Sequence, residues 1–341
     1  MFGRAALLFT IFFQMCSCVK VPTILLNNGR HMPAIALGTY LGFGESGVVM
    51  SKDNEFRDVV LNAVDIGYRH FDTASIYSTE RELGEAVRMK IADGQYKRED
   101  FFITTKLWNT HHKREQVASA LRESLDRLAL NYVDLYLMHW PMGLNVDHTY
   151  SEVDFMETWR GLEDVYKLGL TKAIGVSNFN LKQLKRVLEE GTVKPAAIQI
   201  EIHPLNVQKE LVEYAQAQSL VVMGYSPFGS LVARHGQWSA GPRVNDTTLA
   251  SIAEKYGKTV PQVVLRWEVE RNIVPLPKTV KRKRLEENIN IFDFKLEKEE
   301  VDKISDFDSG TRYTLPSFWQ NHPYYPFEKV DNPIPDPFLS A

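Results

Sequence analysis

Cysteine is almost missing from this sequence. The only two, Cys16 and Cys18, fall close to the N-terminus of the 341-residue chain. Everything after them is therefore without a disulfide framework, a thiolate metal site or a cysteine nucleophile. An excess of one charge is missing too. Forty basic residues against 43 acidic ones leave a net charge of -3, which gives no basic face for a nucleic-acid partner. Long apolar runs are also lacking. The longest N-terminal one, Ala5 to Phe13, falls short of the roughly 20 residues that a bilayer span needs. No Ser/Gly-rich linker or low-complexity stretch divides the chain, and its 44% hydrophobic and 24% charged residues are those of a soluble globular protein.

What the N-terminus does have is Arg4, the short apolar run, and then the small residues Cys16-Ser17-Cys18. That is the layout of a secretory signal peptide spanning residues 1–18, with cleavage after Cys18. The chain from 19 to 341 would then be one domain, secreted if the leader is cleaved and cytoplasmic otherwise. An N-terminal helix packed on the domain, or a wrongly chosen start codon, is the competing reading. Asn245-Asp246-Thr247 is an N-glycosylation sequon in a polar stretch.

After the leader, TILLNNGRHMPAIAL reads as a hairpin, with Asn28-Gly29 supplying positive φ at a tight turn. Short apolar runs then alternate with amphipathic helical stretches. The strand candidates are 34–40, 68–74, 101–106, 133–139, 172–178, 196–202, 221–226 and 272–277. Helical patterns lie near 54–66, 79–92, 114–129, 153–168, 180–190, 207–218, 247–270 and 281–290, the seventh broken at Gly257 and restarting at Pro261. Eight such units in about 250 residues predict an α/β fold of the (β/α)8 TIM-barrel type. It would carry an N-terminal hairpin and a long aromatic C-terminal loop holding Tyr313, Phe318, Trp319, Tyr324, Tyr325 and Phe327.

The strand ends carry polar residues: Thr39, Asp72, Lys106, His139, Ser177-Asn178, Ser226 and Lys278. In a barrel these ends share one rim, where active sites form. Four residues there can do proton chemistry. Tyr77, five residues past Asp72, is a proton donor whose reference pKa of about 10 an adjacent ammonium would lower. Lys106 is placed to supply that ammonium, Asp72 to orient it, and His139 to bond a carbonyl oxygen. Together they suit an oxyanion developing on a reduced carbonyl. The hydride has to come from a nicotinamide cofactor, because no side chain supplies one.

Two segments compete for that cofactor. Gly42 to Gly47 matches GxGxxG, but the following VVMSKDNEF is polar where a helix should open, so it reads as a glycine-rich loop. Residues 277–288, PKTVKRKRLEEN, follow the eighth strand into a helix start, where barrels bind phosphate. Lys278 and Arg284 there suit a 2′-phosphate; a solvated basic helix face is the bland alternative.

Three stretches, GYRHFDTASIY (67–77), KAIGVSNF (172–179) and LPKTVKRKRLEEN (276–288), resemble signatures of the aldo-keto reductases, and the likeness runs from about Thr23 to the C-terminus. The resemblance implies Tyr77 as general acid, with Asp72, Lys106 and His139 completing a tetrad. It implies NADPH as cofactor and a small-molecule carbonyl as substrate. Ser177, Asn178 and Gln199 would hold the carboxamide, Tyr225 would stack on the nicotinamide, and Ser226, Phe228 and Ser230 would line the pyrophosphate. Lys278, Thr279 and Arg284 would bind the 2′-phosphate, and Glu287 and Asn288 the adenine. Thr39 joins the expected cofactor contacts. Tyr40, Trp108, Trp140, Trp238 and Trp319 would shape the substrate pocket. Tyr40 stands where the family frequently has Trp, and the loop from Tyr40 to Asn54 is long. That loop and the leader resemble the insect branch of the family, which includes secreted reductases of the steroid ketone 3-dehydroecdysone.

Other readings remain open at this stage. Lys106 could serve an aldolase as a Schiff-base lysine, and the barrel could bind NADPH as a sensor without turnover. Adjacent His111 and His112 seldom converge on one ion, so no metal is expected. A monomer is expected, with no nucleic-acid partner and no membrane association after leader removal.

Overall fold

Each of the eight apolar segments forms a strand in a computed structural model of the chain. The described residues are 19–338 except 45, 46, 53 and 233–240. The expected leader and Trp238 lie outside them. The barrel strands are β1 (Leu37–Gly38), β2 (His70–Asp72), β3 (Phe102–Leu107), β4 (Leu135–Met138), β5 (Ile174–Ser177), β6 (Ala197–Glu201), β7 (Val221–Tyr225) and β8 (Ile273–Leu276). All neighbouring pairs from β1 to β8 are parallel. Two backbone bonds, Ala36 N–H to Pro275 O (3.1 Å) and Gly38 N–H to Pro277 O (3.0 Å), bring the first strand segment against the last and close the barrel.

The sheet is buried on both faces, as parallel strands require. Ala36, Phe102, Leu135, Leu137, Ala197, Met223 and Val274 fill its inside. Ile103, Tyr136, Ile198, Ile200 and Val222 face the helices from the outside. An antiparallel hairpin, Thr23–Leu25 with His31–Pro33, lies against the inner cluster through Leu26 and Met32. Its turn differs from the expectation. Only Gly29 has positive φ (81°), and Leu26 N–H bonds to Arg30 O at 2.8 Å. This is a three-residue loop with glycine in the left-handed position, so Asn28 needs no special conformation.

The helices follow the expected order: α1 (Glu55–Ile66), α2 (Glu80–Ala92), α3 (Arg114–Leu128), α4 (Phe155–Lys167), α5 (Leu181–Glu190), α6 (Lys209–Ala217), α7 (Thr247–Tyr256), α8 (Val260–Glu270) and α9 (Arg282–Ile289). Sequence-encoded caps start several of them. Asn180 and Gln183 form a capping box on α5, as do Thr259 and Gln262 on α8, while Asp246 accepts two backbone N–H bonds at α7. A tenth helix, α10 (Lys298–Ser305), was not anticipated. The glycine-rich segment forms a small antiparallel pair, Phe43–Gly44 with Gly47–Val48, and the next helix starts only at Glu55. The structure thus agrees that it is a loop and not a dinucleotide fingerprint. No helix among the described residues is long and apolar enough to cross a membrane.

One core residue carries a stability cost. Glu268 on α8 is fully buried, and neither carboxyl oxygen has a hydrogen-bond partner among the described residues. Burial pushes its carboxyl well above the usual carboxylate range, with Arg271 opposing. A folded pKa raised above the unfolded value of about 4.3 contributes stability that is complete below that value and lost as pH rises through the folded pKa. Glu268→Met removes the unsatisfied group at similar volume. It is expected to stabilise the fold at pH 8 by about 1–3 kcal/mol, with a smaller gain at pH 5, as read from urea unfolding at both pH values.

Candidate active site

The strand ends place the four candidate residues within one cluster at the rim. β1 and β2 pair Gly38 with Asp72, and β2 and β3 pair Asp72 with Thr104. Lys106 lies two residues beyond Thr104, on the same face. Its ammonium donates to Asp72 Oδ1 at 2.6 Å and to Thr73 O at 2.9 Å. Gln199 Nε2 donates to the other carboxylate oxygen, Oδ2, at 2.7 Å. Lys106 is fully buried and Asp72 is 4% exposed, so this ion pair is almost dry. Burial lowers the Lys106 pKa while Asp72 and Glu80 raise it, with a net downward shift.

Tyr77 sits above that pair, on the 3-10 turn Ser75–Tyr77 after β2. Its hydroxyl lies 3.4 Å from His139 Nε2, and the Lys106 nitrogen lies 4.8 Å from its ring centroid. Here the sequence expectation is corrected. Burial, followed by the Asp72, Tyr40 and Tyr225 groups, raises the Tyr77 pKa well above its ordinary value. Lys106 does not overcome this, because its ammonium is aimed at Asp72 and Thr73 O. Tyr77 is therefore held as a neutral phenol. Burial and the Lys106 charge drive His139 well below its ordinary pKa, so it is a neutral imidazole at physiological pH. The Schiff-base reading of Lys106 also fails on geometry, since a fully buried amine paired with a carboxylate is not presented to a substrate carbonyl.

The expected cofactor residues divide into three groups. Ser177 pairs in register with Gln199, and Asn178, with φ of 61°, donates through Nδ2 to His139 O at 2.9 Å. Tyr225 OH donates to Asn178 Oδ1 at 2.7 Å, which links β7 to this group. Ser226 (φ 56°) and Phe228 follow on the turn after β7. Lys278 and Arg284 are exposed and make no ion pair among the described residues, while Thr279 is buried and accepts Lys281 N–H at 3.1 Å. They stand at the start of α9, whose first N–H groups have no side-chain cap. Two unpaired cations at an uncapped helix N-terminus fit a phosphate. Further along α9, Glu287 is half-buried beside Lys283 (4.0 Å), and Asn288 is 4% exposed.

Two of the expected contacts are otherwise engaged. Thr39 is fully buried; its hydroxyl accepts from Thr79 at 2.8 Å and its N–H donates to Asp72 O. It ties the end of β1 to Asp72 and to Thr79. The buried Ser230 hydroxyl donates to Pro242 O at 2.6 Å.

Over the cluster lies an aromatic wall. The Tyr40 ring is 5.0 Å from that of Tyr77, and Trp108 is 5.3 Å from His139. Trp140 and Trp319 pack edge to face at 6.1 Å. The C-terminal loop supplies Phe318, Trp319 and Phe327, as expected, and also Phe338, which stacks on Trp319 at 5.8 Å and touches Trp108. Phe338 was not singled out in the sequence. It lies in a proline-rich segment without helical or strand period, which gives no pattern to read.

The aldo/keto reductase family model matches residues 34–309. Aldo-keto reductase AKR2E4 of Bombyx mori is 42% identical over 308 residues, covering 90% of this chain and 99% of that protein. The crystal structure of AKR2E5 complexed with NADPH, a silkworm protein, superposes with a TM-score of 0.90 at 44% identity, covering 94% of this chain and 98% of that one. That of Bombyx mori AKR2E4 in complex with NADP gives 0.86 at 41% identity, covering 91% and 100%. With a family match across most of the barrel and relatives aligned over nearly their whole length, this chain belongs to the aldo/keto reductase family.

Proposed function

We propose that this protein reduces a carbonyl to an alcohol at the cluster of Asp72, Tyr77, Lys106 and His139, with NADPH as cofactor. The observation that carries the reading is the Tyr77 hydroxyl facing His139 Nε2 above the buried Lys106–Asp72 pair. A carbonyl oxygen placed between the hydroxyl and the imidazole would meet hydrogen-bond donors from both sides. For this His139 carries its proton on Nε2. Bound NADPH supplies the hydride. As negative charge develops on the oxygen, Tyr77 delivers its proton. The raised phenol pKa keeps that proton in place until the oxyanion calls for it. The Lys106 ammonium below the ring then stabilises the phenolate, and Gln199 holds Asp72 so that the ammonium keeps its direction.

Lys278, Thr279 and Arg284 would hold the 2′-phosphate, and Ser177, Asn178 and Gln199 the carboxamide. Arg284→Ala is expected to weaken NADPH binding by about 10- to 100-fold, the equivalent of one charge-assisted contact. NADH binding should shift less than about threefold. Titration of protein fluorescence with each cofactor measures both.

The aromatic wall of Trp108, Trp140, Trp319, Phe327 and Phe338 supports a bulky apolar substrate, and 3-dehydroecdysone is the ketone we propose. A preference of less than tenfold in kcat/KM for this steroid over simple aldehydes would argue against it.

We also propose that the protein is secreted, with the mature chain starting at Val19. Asn245 is exposed, in a turn closed by Asp246 N–H to Arg243 O at 2.9 Å, a geometry accessible to glycosylation. Expression of the full chain in insect cells should give a product in the medium that begins at Val19. Its mobility should increase on glycosidase treatment, and Asn245→Gln should abolish that change. An intact N-terminus retained inside the cells would contradict secretion.

A further inference from the structure

A fully buried acid that the chemistry above does not use ties down the C-terminal loop. Alternate residues of a strand share a face, and on β6 these are Ala197, Gln199 and Glu201. Ala197 belongs to the inner core, Gln199 holds Asp72, and Glu201 ends the strand with no exposure. The Glu201 carboxylate accepts three bonds. Tyr313 N–H reaches Oε1 at 2.7 Å, Thr314 N–H reaches Oε2 at 2.7 Å, and His203 Nε2 lies 2.9 Å from Oε1. A carboxylate only accepts, so His203 carries its proton on Nε2. Burial opposes the charge, yet His203 and the two backbone N–H groups hold the Glu201 carboxyl below its ordinary value. Next to it, Leu205 O accepts Ser309 N–H (3.2 Å) and Thr311 N–H (2.9 Å). The start of the C-terminal loop is thus anchored on the connection between β6 and α6.

His203 also faces a second segment. Gly229, at φ 42°, lies so close that a Cβ there would stand 2.7 Å from the imidazole. The Tyr313 ring centroid lies 5.0 Å from that of His203. One acid–imidazole pair therefore touches both the loop that carries Trp319 and Phe327 and the turn that follows Ser226.

We propose that Glu201, acting with His203, is a positioning residue for the substrate pocket. It fixes the C-terminal loop and the turn at Gly229 in one relative placement, so that the aromatic wall forms over the tetrad. The functional half of this inference rests on the active site proposed above; the structural half does not.

The test combines hydrogen exchange of the full chain with steady-state kinetics. Glu201→Gln replaces one acceptor by an NH2 group facing backbone N–H donors. Amide exchange across residues 309–327 should then rise by about tenfold or more, with α1 to α4 unchanged. KM for a bulky ketone should rise by about tenfold while kcat stays within about threefold. Glu201→Asp, which keeps the charge, should fall between the two. His203→Ala should speed exchange at 226–231 as well as at 309–314. Unchanged exchange at 309–327 would overturn the proposal. So would a uniform rise across the barrel with kcat falling in step, the mark of plain lost stability. Faster exchange with an unmoved KM would overturn the role in the substrate pocket. Failure of the active-site reading itself would show separately, as activity retained by Tyr77→Phe, and would leave the exchange result standing.

Discussion

Tyr77→Phe is expected to lower kcat for aldehyde reduction by about 10²–10⁴-fold, the range for losing a positioned general acid, and to leave NADPH affinity essentially unchanged. The substitution deletes one oxygen and keeps the ring that packs on Tyr40 and over the Lys106 ammonium. The fold should therefore be intact, and circular dichroism with thermal unfolding checks this. The pH profile adds a second readout. Burial raises the Tyr77 pKa, so the phenol is protonated throughout the neutral range. The wild-type rate should accordingly stay flat through neutrality and fall only on the alkaline side of the ordinary tyrosine value of about 10. A decline centred near neutrality would mean that another group donates the proton.

Lys106→Met should be costly in two separable ways. Removing the ammonium leaves Asp72 buried with Gln199 as its remaining side-chain donor. Breaking one side of a buried ion pair typically costs about 3–5 kcal/mol, and a clear fall in the urea midpoint is expected. Activity should be lost as well, since no cation then supports the phenolate. A second substitution separates these effects. In the double variant Asp72→Asn with Lys106→Met no buried charge is left unpaired, so much of the stability should return while activity does not. Recovery of both together would mean that Lys106 serves only the fold.

Much of this arrangement was legible in the sequence for a physical reason. A parallel barrel buries its strands on both faces, so each strand reads as an apolar run, and a charge abutting that run stands out. Asp72, Lys106 and His139 were found in that way, and the structure brings all three together with Tyr77. What could not be read depends on contacts distant in sequence. The phenol pKa direction is set by burial and by neighbours such as Tyr225, which no local pattern reveals. The second role of Gln199, holding Asp72 across 127 positions, is of the same kind. The bond between the Thr39 and Thr79 hydroxyls, 40 positions apart, is likewise invisible to any local pattern. Helix α10 escaped because its buried face is small, with only Glu300 and Ile304 fully inside. At the hairpin, the Asn-Gly pair suggested positive φ at both residues, whereas the backbone uses a three-residue loop and gives positive φ to Gly29 alone.

In the proposed reaction this cluster transfers a proton to a carbonyl while NADPH reduces it. The most direct measurement mixes the purified protein, preloaded with one equivalent of NADPH, with a simple aldehyde and follows reduced-nicotinamide absorbance through a single turnover. Stoichiometric loss of that absorbance, with equal formation of the alcohol, is expected. Tight NADPH binding with no loss of absorbance, for any aldehyde or ketone supplied, would contradict it.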